Sequence, residues 1–117
     1  MTDEPIDLHA FADELLAKAT SEDAGRAGRT LPHPIDGLRQ TLIALRSGAE
    51  LHEHESPGPA SLVVLRGRVR IVAGDRTIEL GANWFSAIPN ERHGLVADED
   101  SVVLLSVCVP ERAPTMD

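Results

Sequence analysis

Apolar and polar positions alternate with two different periods along the chain. From Ile6 to Ala19, Leu8, Phe11, Ala12, Leu15, Leu16 and Ala19 recur at i, i+3, i+4, i+7, i+8 and i+11. That is the spacing of one face of an α-helix. Asp7 stands just ahead of the stripe, where its carboxylate can accept from the free amides of the first turn, so it is the expected N-cap. Asp13, Glu14 and His9 fall off the stripe and read as a solvated face. A helix this short is not stable alone. Its stripe must pack on the rest of the chain or on a second subunit.

Beyond the helix the period falls to two. Residues 20–37 are rich in Gly, Pro, Ser and Asp and read as a linker, with room for a short edge strand around Arg29 to Leu31. His33, between two prolines, reads as a loop histidine that could lean over a barrel mouth. Leu38 to Leu45 reads as a strand whose two faces, Leu38/Gln40/Leu42/Ala44 and Arg39/Thr41/Ile43/Leu45, are both mixed, so the pattern does not say which is inner. Glu50 to His54, Ser61 to Leu65, Arg68 to Val72, Thr77 to Leu80, Trp84 to Ile88, His93 to Val96 and Val102 to Val109 follow as strands. Turn signals separate them at Arg46-Ser47-Gly48, Pro57-Gly58-Pro59, Arg66-Gly67, Gly74-Asp75, Pro89-Asn90 and Asp98-Glu99-Asp100. In Arg68 to Val72 the arginines should point out and Val69 and Ile71 in, the half-buried alternation of an antiparallel sheet. Short strands at near-regular spacing predict an all-β barrel or sandwich of six to eight strands. The chain divides into an N-terminal helix and linker (1–37), a barrel (38–109) and a flexible tail (110–117).

Composition narrows the function classes. At 117 residues the chain is one domain. It is 42% apolar but only 3% aromatic, so its core must be aliphatic. The net charge of −8 argues against nucleic acid and against an anionic membrane surface. No apolar run reaches the ~20 residues that span a bilayer. The acidic N-terminus lacks the parts of a signal peptide. The one cysteine, Cys108, excludes an internal disulfide and fits a reducing cytoplasm. It is expected to be buried and inert. There is no phosphate-binding glycine loop, no zinc-spaced cysteine pair, no serine nucleophile motif and no helix-turn-helix.

The candidate chemistry is in the histidines. In a regular strand, His52 and His54 share a face, with Glu53 and Glu55 on the other. At that spacing two imidazoles could converge on one ion. A third, His93, follows the Pro89 turn. With these residues the chain resembles the small single-domain cupins, the RmlC-like jelly-roll family, over roughly residues 38 to 109. The first cupin motif has two histidines one residue apart, then a glutamate, then a glycine closing the next strand. The second has a proline turn and a histidine. His52, His54, Gly67, Pro89 and His93 match. The motif glutamate is replaced by Ala60, Asn83 stands at the glycine that opens the second motif, and the proline turn is about one residue shorter.

The resemblance implies a cupin-type antiparallel β-barrel (jelly roll) preceded by an N-terminal α-helix. It also implies His52, His54 and His93 as ligands of a divalent metal ion. Imidazole suits iron, zinc, nickel, manganese and copper, so the spacing does not name the metal. Glu50 could substitute for the carboxylate missing at Ala60. Arg92 could pair with an anion at the mouth, or be an ordinary surface charge. The three histidines could equally bond to one another or to water. Two functions follow: a three-histidine metal enzyme of dioxygenase or isomerase type acting on a small organic molecule, or a non-catalytic small-molecule or metal-binding sensor cupin. A homodimer is expected, because open sheets have edges to cover and the helix needs a partner surface. Trp84 and Phe85 alternate, so one should enter the core and the other cover an exterior surface or an interface.

Overall fold

The helix begins where the capping argument puts it. In the computed structural model, which describes residues 5–32, 35–55 and 58–109, α1 runs Leu8–Ser21. The Asp7 side chain accepts from the amides of His9 at 3.0 Å and Ala10 at 3.2 Å. Nine strands follow: β1 Arg26–Thr30, β2 Leu38–Leu45, β3 Glu50–His54, β4 Ala60–Arg66, β5 Arg68–Ala73, β6 Arg76–Gly81, β7 Phe85–Ala87, β8 His93–Ala97 and β9 Ser101–Cys108. They form two antiparallel sheets, one in the order β1-β2-β9-β4-β7 and one in the order β3-β8-β5-β6. Sequence neighbours are split between sheets, the interleaving of a jelly roll. The expected all-β jelly roll after an N-terminal helix is what forms; its two sheets stay open to each other as a sandwich, and the described residues make nine strands where six to eight were expected. The sheets meet through side chains, and each keeps two edges.

Three layers explain the mixed faces of β2. Leu45, Leu62, Val64, Val69, Ile71, Leu80, Leu95, Ala97 and Val103 fill the space between the sheets. On the far side of the five-stranded sheet, Ala12, Leu15 and Ala19 of α1 bury Leu42, Ala44 and Val102. So β2 sends Leu42 and Ala44 to the helix, and Leu45, with Ile43, to the inter-sheet core. The helix stripe lies on the chain's own sheet, not on a second subunit. β1, inside the stretch read as linker, pairs with β2 along its whole length. In β5, Val69 and Ile71 are buried and Arg68 and Arg70 lie outside, as the alternation predicts.

Two expectations are corrected. Trp84 and Phe85 are both exposed, at 63% and 65%, because β7 is a three-residue edge strand with no described strand beyond it. Cys108 is exposed rather than buried, because it is the last residue of β9, past the covered stretch of the sheet. Asn83, standing for a motif glycine, adopts φ 72°, the left-handed conformation that Asn tolerates better than other side chains. His33, Pro57 and the tail 110–117 lie outside the described residues. Among the described residues no helix is long and apolar enough to cross a membrane.

Candidate metal and ligand site

Strands β3 and β8 build the site, and their register decides which histidines enter it. Glu50 pairs with Val96 and Leu51 with Leu95, but the next pair is His54 with His93. Three steps along β3 match two along β8, so β3 carries a bulge between Leu51 and His54. The bulge breaks the period of two. Leu51 and His54 both line the mouth of the inter-sheet cavity. The His52 side chain is turned out, 83% exposed, with Nδ1 3.8 Å from Glu50 Oε1. His52 and His54 therefore do not share a face, and Leu51 packs inward rather than away from the site. Glu50 lies beside His52 instead of joining the inner pair.

Gly94, between His93 and Leu95, makes the bulge possible. A Cβ there would lie 2.9 Å from the Leu51 carbonyl and 3.4 Å from the Glu53 amide. Only a residue without a side chain lets the two backbones approach so closely. Neither the bulge nor this glycine is visible in the alternation of β3. The only available signal was the glycine itself, placed in the middle of a short apolar strand.

The structure brings His54 and His93 together. Their ring centroids are 4.8 Å apart and the rings are tilted by 54°. Each is held the same way. His54 Nδ1 lies 2.9 Å from the His52 carbonyl, and His93 Nδ1 2.8 Å from the Glu91 carbonyl. A carbonyl can only accept, so Nδ1 carries the proton in both rings. In the neutral imidazole that leaves Nε2 as the nitrogen with a free lone pair. This is the backbone anchoring that fixes tautomer and ring orientation in metal-ligating histidines. His93 is 5% exposed and His54 sits at the open rim.

Behind the pair lies an aliphatic cavity lined by Ile43, Leu51, Leu62, Ile71, Ile88 and Leu105. Its volume of about 30 Å³ is room for one or two waters, so a ligand would sit at the mouth. A polar depression of about 210 Å³, lined by Glu55, Asn90, Glu91 and Arg92, flanks the histidines. Arg92 pairs with Glu53 at 3.5 Å and Arg76 with Glu91 at 2.5 Å, so the depression's one arginine already has an acidic partner.

The donor set fits a metal in part. Two fixed Nε2 atoms can ligate, but among the described residues no cluster of three His, Cys, Asp or Glu side chains could hold an ion. Ala60, at the position of the motif glutamate, opens β4 opposite Val107 and offers no donor.

Several solved structures share this fold. A conserved protein of unknown function from Streptococcus pyogenes is 26% identical, over 96% of this chain and 92% of its own, with a TM-score of 0.70. A cupin superfamily protein from Desulfitobacterium hafniense is 15% identical, over 94% of both chains, with a TM-score of 0.74. The salicylate 1,2-dioxygenase of Pseudaminobacter salicylatoxidans is 16% identical over 85% of this chain, which spans 33% of that enzyme, with a TM-score of 0.71. No protein-family model and no curated protein matches the chain. In its two interleaved sheets and its structural neighbours, the chain has the fold of the small, single-domain, RmlC-like cupins.

Proposed function

We propose that the protein binds a small organic molecule at the open end of the jelly roll, gripped through a divalent metal ion held by Nε2 of His54 and His93. The observation that carries this reading is the matched anchoring of the two rings, each with Nδ1 tied to a carbonyl two residues upstream. Such anchoring keeps both Nε2 lone pairs available before any ligand arrives. Two metal–nitrogen bonds of about 2.1 Å can join nitrogens up to about 4.2 Å apart. A bound ion would supply Lewis-acid chemistry, or oxygen chemistry if it is iron. The chain's own part is to orient the two imidazoles and to present the ligand to an aliphatic wall that excludes water. The fold shared with a salicylate dioxygenase makes small aromatic acids the first ligands to try.

A second reading, a binding module that works without metal, is favoured by the shortage of donors. Ala60 and the outward turn of His52 leave two. One calorimetric experiment separates the readings. Untagged protein is titrated with Zn²⁺ or Co²⁺, and then with salicylate with and without the ion. We expect His54→Ala and His93→Ala each to abolish metal binding and His52→Ala to leave it within about threefold, the range of a rim charge effect. Binding should weaken on acidification, because protonated imidazole cannot ligate. If wild type takes up no metal but binds the acid, the metal-free module is the correct reading. If His52→Ala abolishes metal binding as fully as His54→Ala, the bulged register is not the one that binds.

A further inference from the structure

The cavity behind the histidines has a lining and a size that decide what can enter it. Its floor is Leu62 and Ile71, both fully buried members of the inter-sheet core. Its walls are Ile43, Leu51, Ile88 and Leu105, each half-buried and packed against that core. The two imidazoles stand at its mouth, and Nδ1 of each is already bonded to a carbonyl. No other described side chain in the lining carries a donor or an acceptor. A buried water needs two to four polar partners, so one lying beyond the rings has no side chain to bond. The space suits an apolar group.

The size is a second observation. About 30 Å³ is the room of one or two waters, hence of one or two carbon atoms. A benzene ring occupies a cavity of ~150 Å³, about five times as large. The floor cannot give way, because core side chains are close-packed. The bulge in β3 narrows the space further. In an unbroken alternation Leu51 and His54 would lie on opposite faces. With the bulge both line the cavity, so Leu51 takes up room beside the ring it accompanies.

We propose that the site selects short-chain aliphatic acids, with the carboxylate at the histidine pair and the terminal methyl or ethyl group in the cavity. The proposal rests on the reading that a small organic molecule binds at this mouth, and it narrows the class of that molecule. A ring acid such as salicylate lies across the mouth and leaves the cavity unfilled. A slim alkyl end enters and buries surface that a ring cannot reach. Each methylene taken out of water raises affinity about fourfold. The gain stops where the carbons outnumber the space, at Leu62 and Ile71. Leu51 and Ile88 set the length that fits. Leu51 comes from the edge strand β3, and Ile88 directly follows the short strand β7. Either wall can therefore be cut back without removing the floor.

The test is an NMR titration of the untagged full chain, with and without Zn²⁺. The probes are the straight-chain carboxylates from acetate to hexanoate, 2,2-dimethylpropanoate, and salicylate. In wild type the dissociation constant should fall about fourfold per carbon over one or two successive members, and then level or rise. 2,2-Dimethylpropanoate, too wide at its end, should bind about tenfold more weakly than the best straight chain, the penalty of overpacking. Ile88→Ala should move the optimum to a longer chain. Leu51→Ala cuts a second wall and should do the same, which decides the matter should Ile88→Ala fail to fold. Ile78→Ala is an equal truncation against the same core but outside the cavity, and should leave the optimum in place. Affinity that climbs evenly through the whole series overturns the proposal. So does an optimum that stays put in the wall variants. Binding of salicylate but of no straight-chain acid also overturns it, and leaves the reading of the mouth intact. If neither salicylate nor any member of the series binds, that reading fails and the proposal falls with it.

Discussion

Gly67 ends β4 and turns the chain into β5 at φ 84°. A Cβ at this position would collide with Ser101 Oγ and the Asp100 carbonyl. Two costs therefore add on substitution, a left-handed backbone for a residue with a side chain and an overpacked contact, together about 3 kcal/mol. Gly48 separates them. It has φ 87°, but nothing lies within 4 Å of where its Cβ would be, so Gly48→Ala carries only the backbone part, about 1 kcal/mol. Urea unfolding of the two variants should show Gly67→Ala as much the less stable. Equal midpoints would mean that the Ser101 contact relaxes freely. Ser101 is itself buried and bonded, donating to the Glu99 carbonyl at 2.7 Å and accepting from the Arg68 amide at 3.0 Å. It has little freedom to move.

At the scale of elements, local signals and long-range ones part company. Asp7, the stripe of α1 and the alternation of β5 are written in neighbouring residues, and each forms as its pattern predicts. The bulge in β3 is not local. It depends on Gly94, some forty residues on, allowing the Leu51 carbonyl to come close, and no pattern within Glu50–His54 reports that approach. For this reason His54 and His93 were legible as partners and the outward turn of His52 was not. Likewise β2 looked undecided because both of its faces are covered, one by a helix that could have packed on another subunit instead. The docking of α1 can be tested through its ends and its middle. Asp7→Ala should cost about 1 kcal/mol through the lost cap, and Leu15→Ala about 2–4 kcal/mol through the cavity left against Leu42 and Val102. If the two losses were equal, the helix would owe its place to its own stability and not to the sheet.

For the whole molecule, the layering sets a gradient of protection. β2 and β9 lie at the centre of the larger sheet, with α1 on one side and the smaller sheet on the other. β3 is an edge, hydrogen-bonded to β8 alone and interrupted by its bulge. Amide hydrogen exchange follows local opening, which is cheapest where few bonds and little buried surface must be given up. Amides of β9 should therefore exchange slowest and those of β3 fastest among the strands of the two sheets, a ranking that mass spectrometry of deuterated peptides would check. Uniform rates across the strands would mean that the layers open as one. The gradient runs through the candidate site: buried His93 belongs to a strand with neighbours on both sides, and His54 to one that peels away first. An occupant bridging the two rings would have to hold β3 closed, so part of its intrinsic affinity is given up to quieting that strand. Occupancy would then register as slowed exchange along 50–54, a signal that needs no knowledge of what the occupant is.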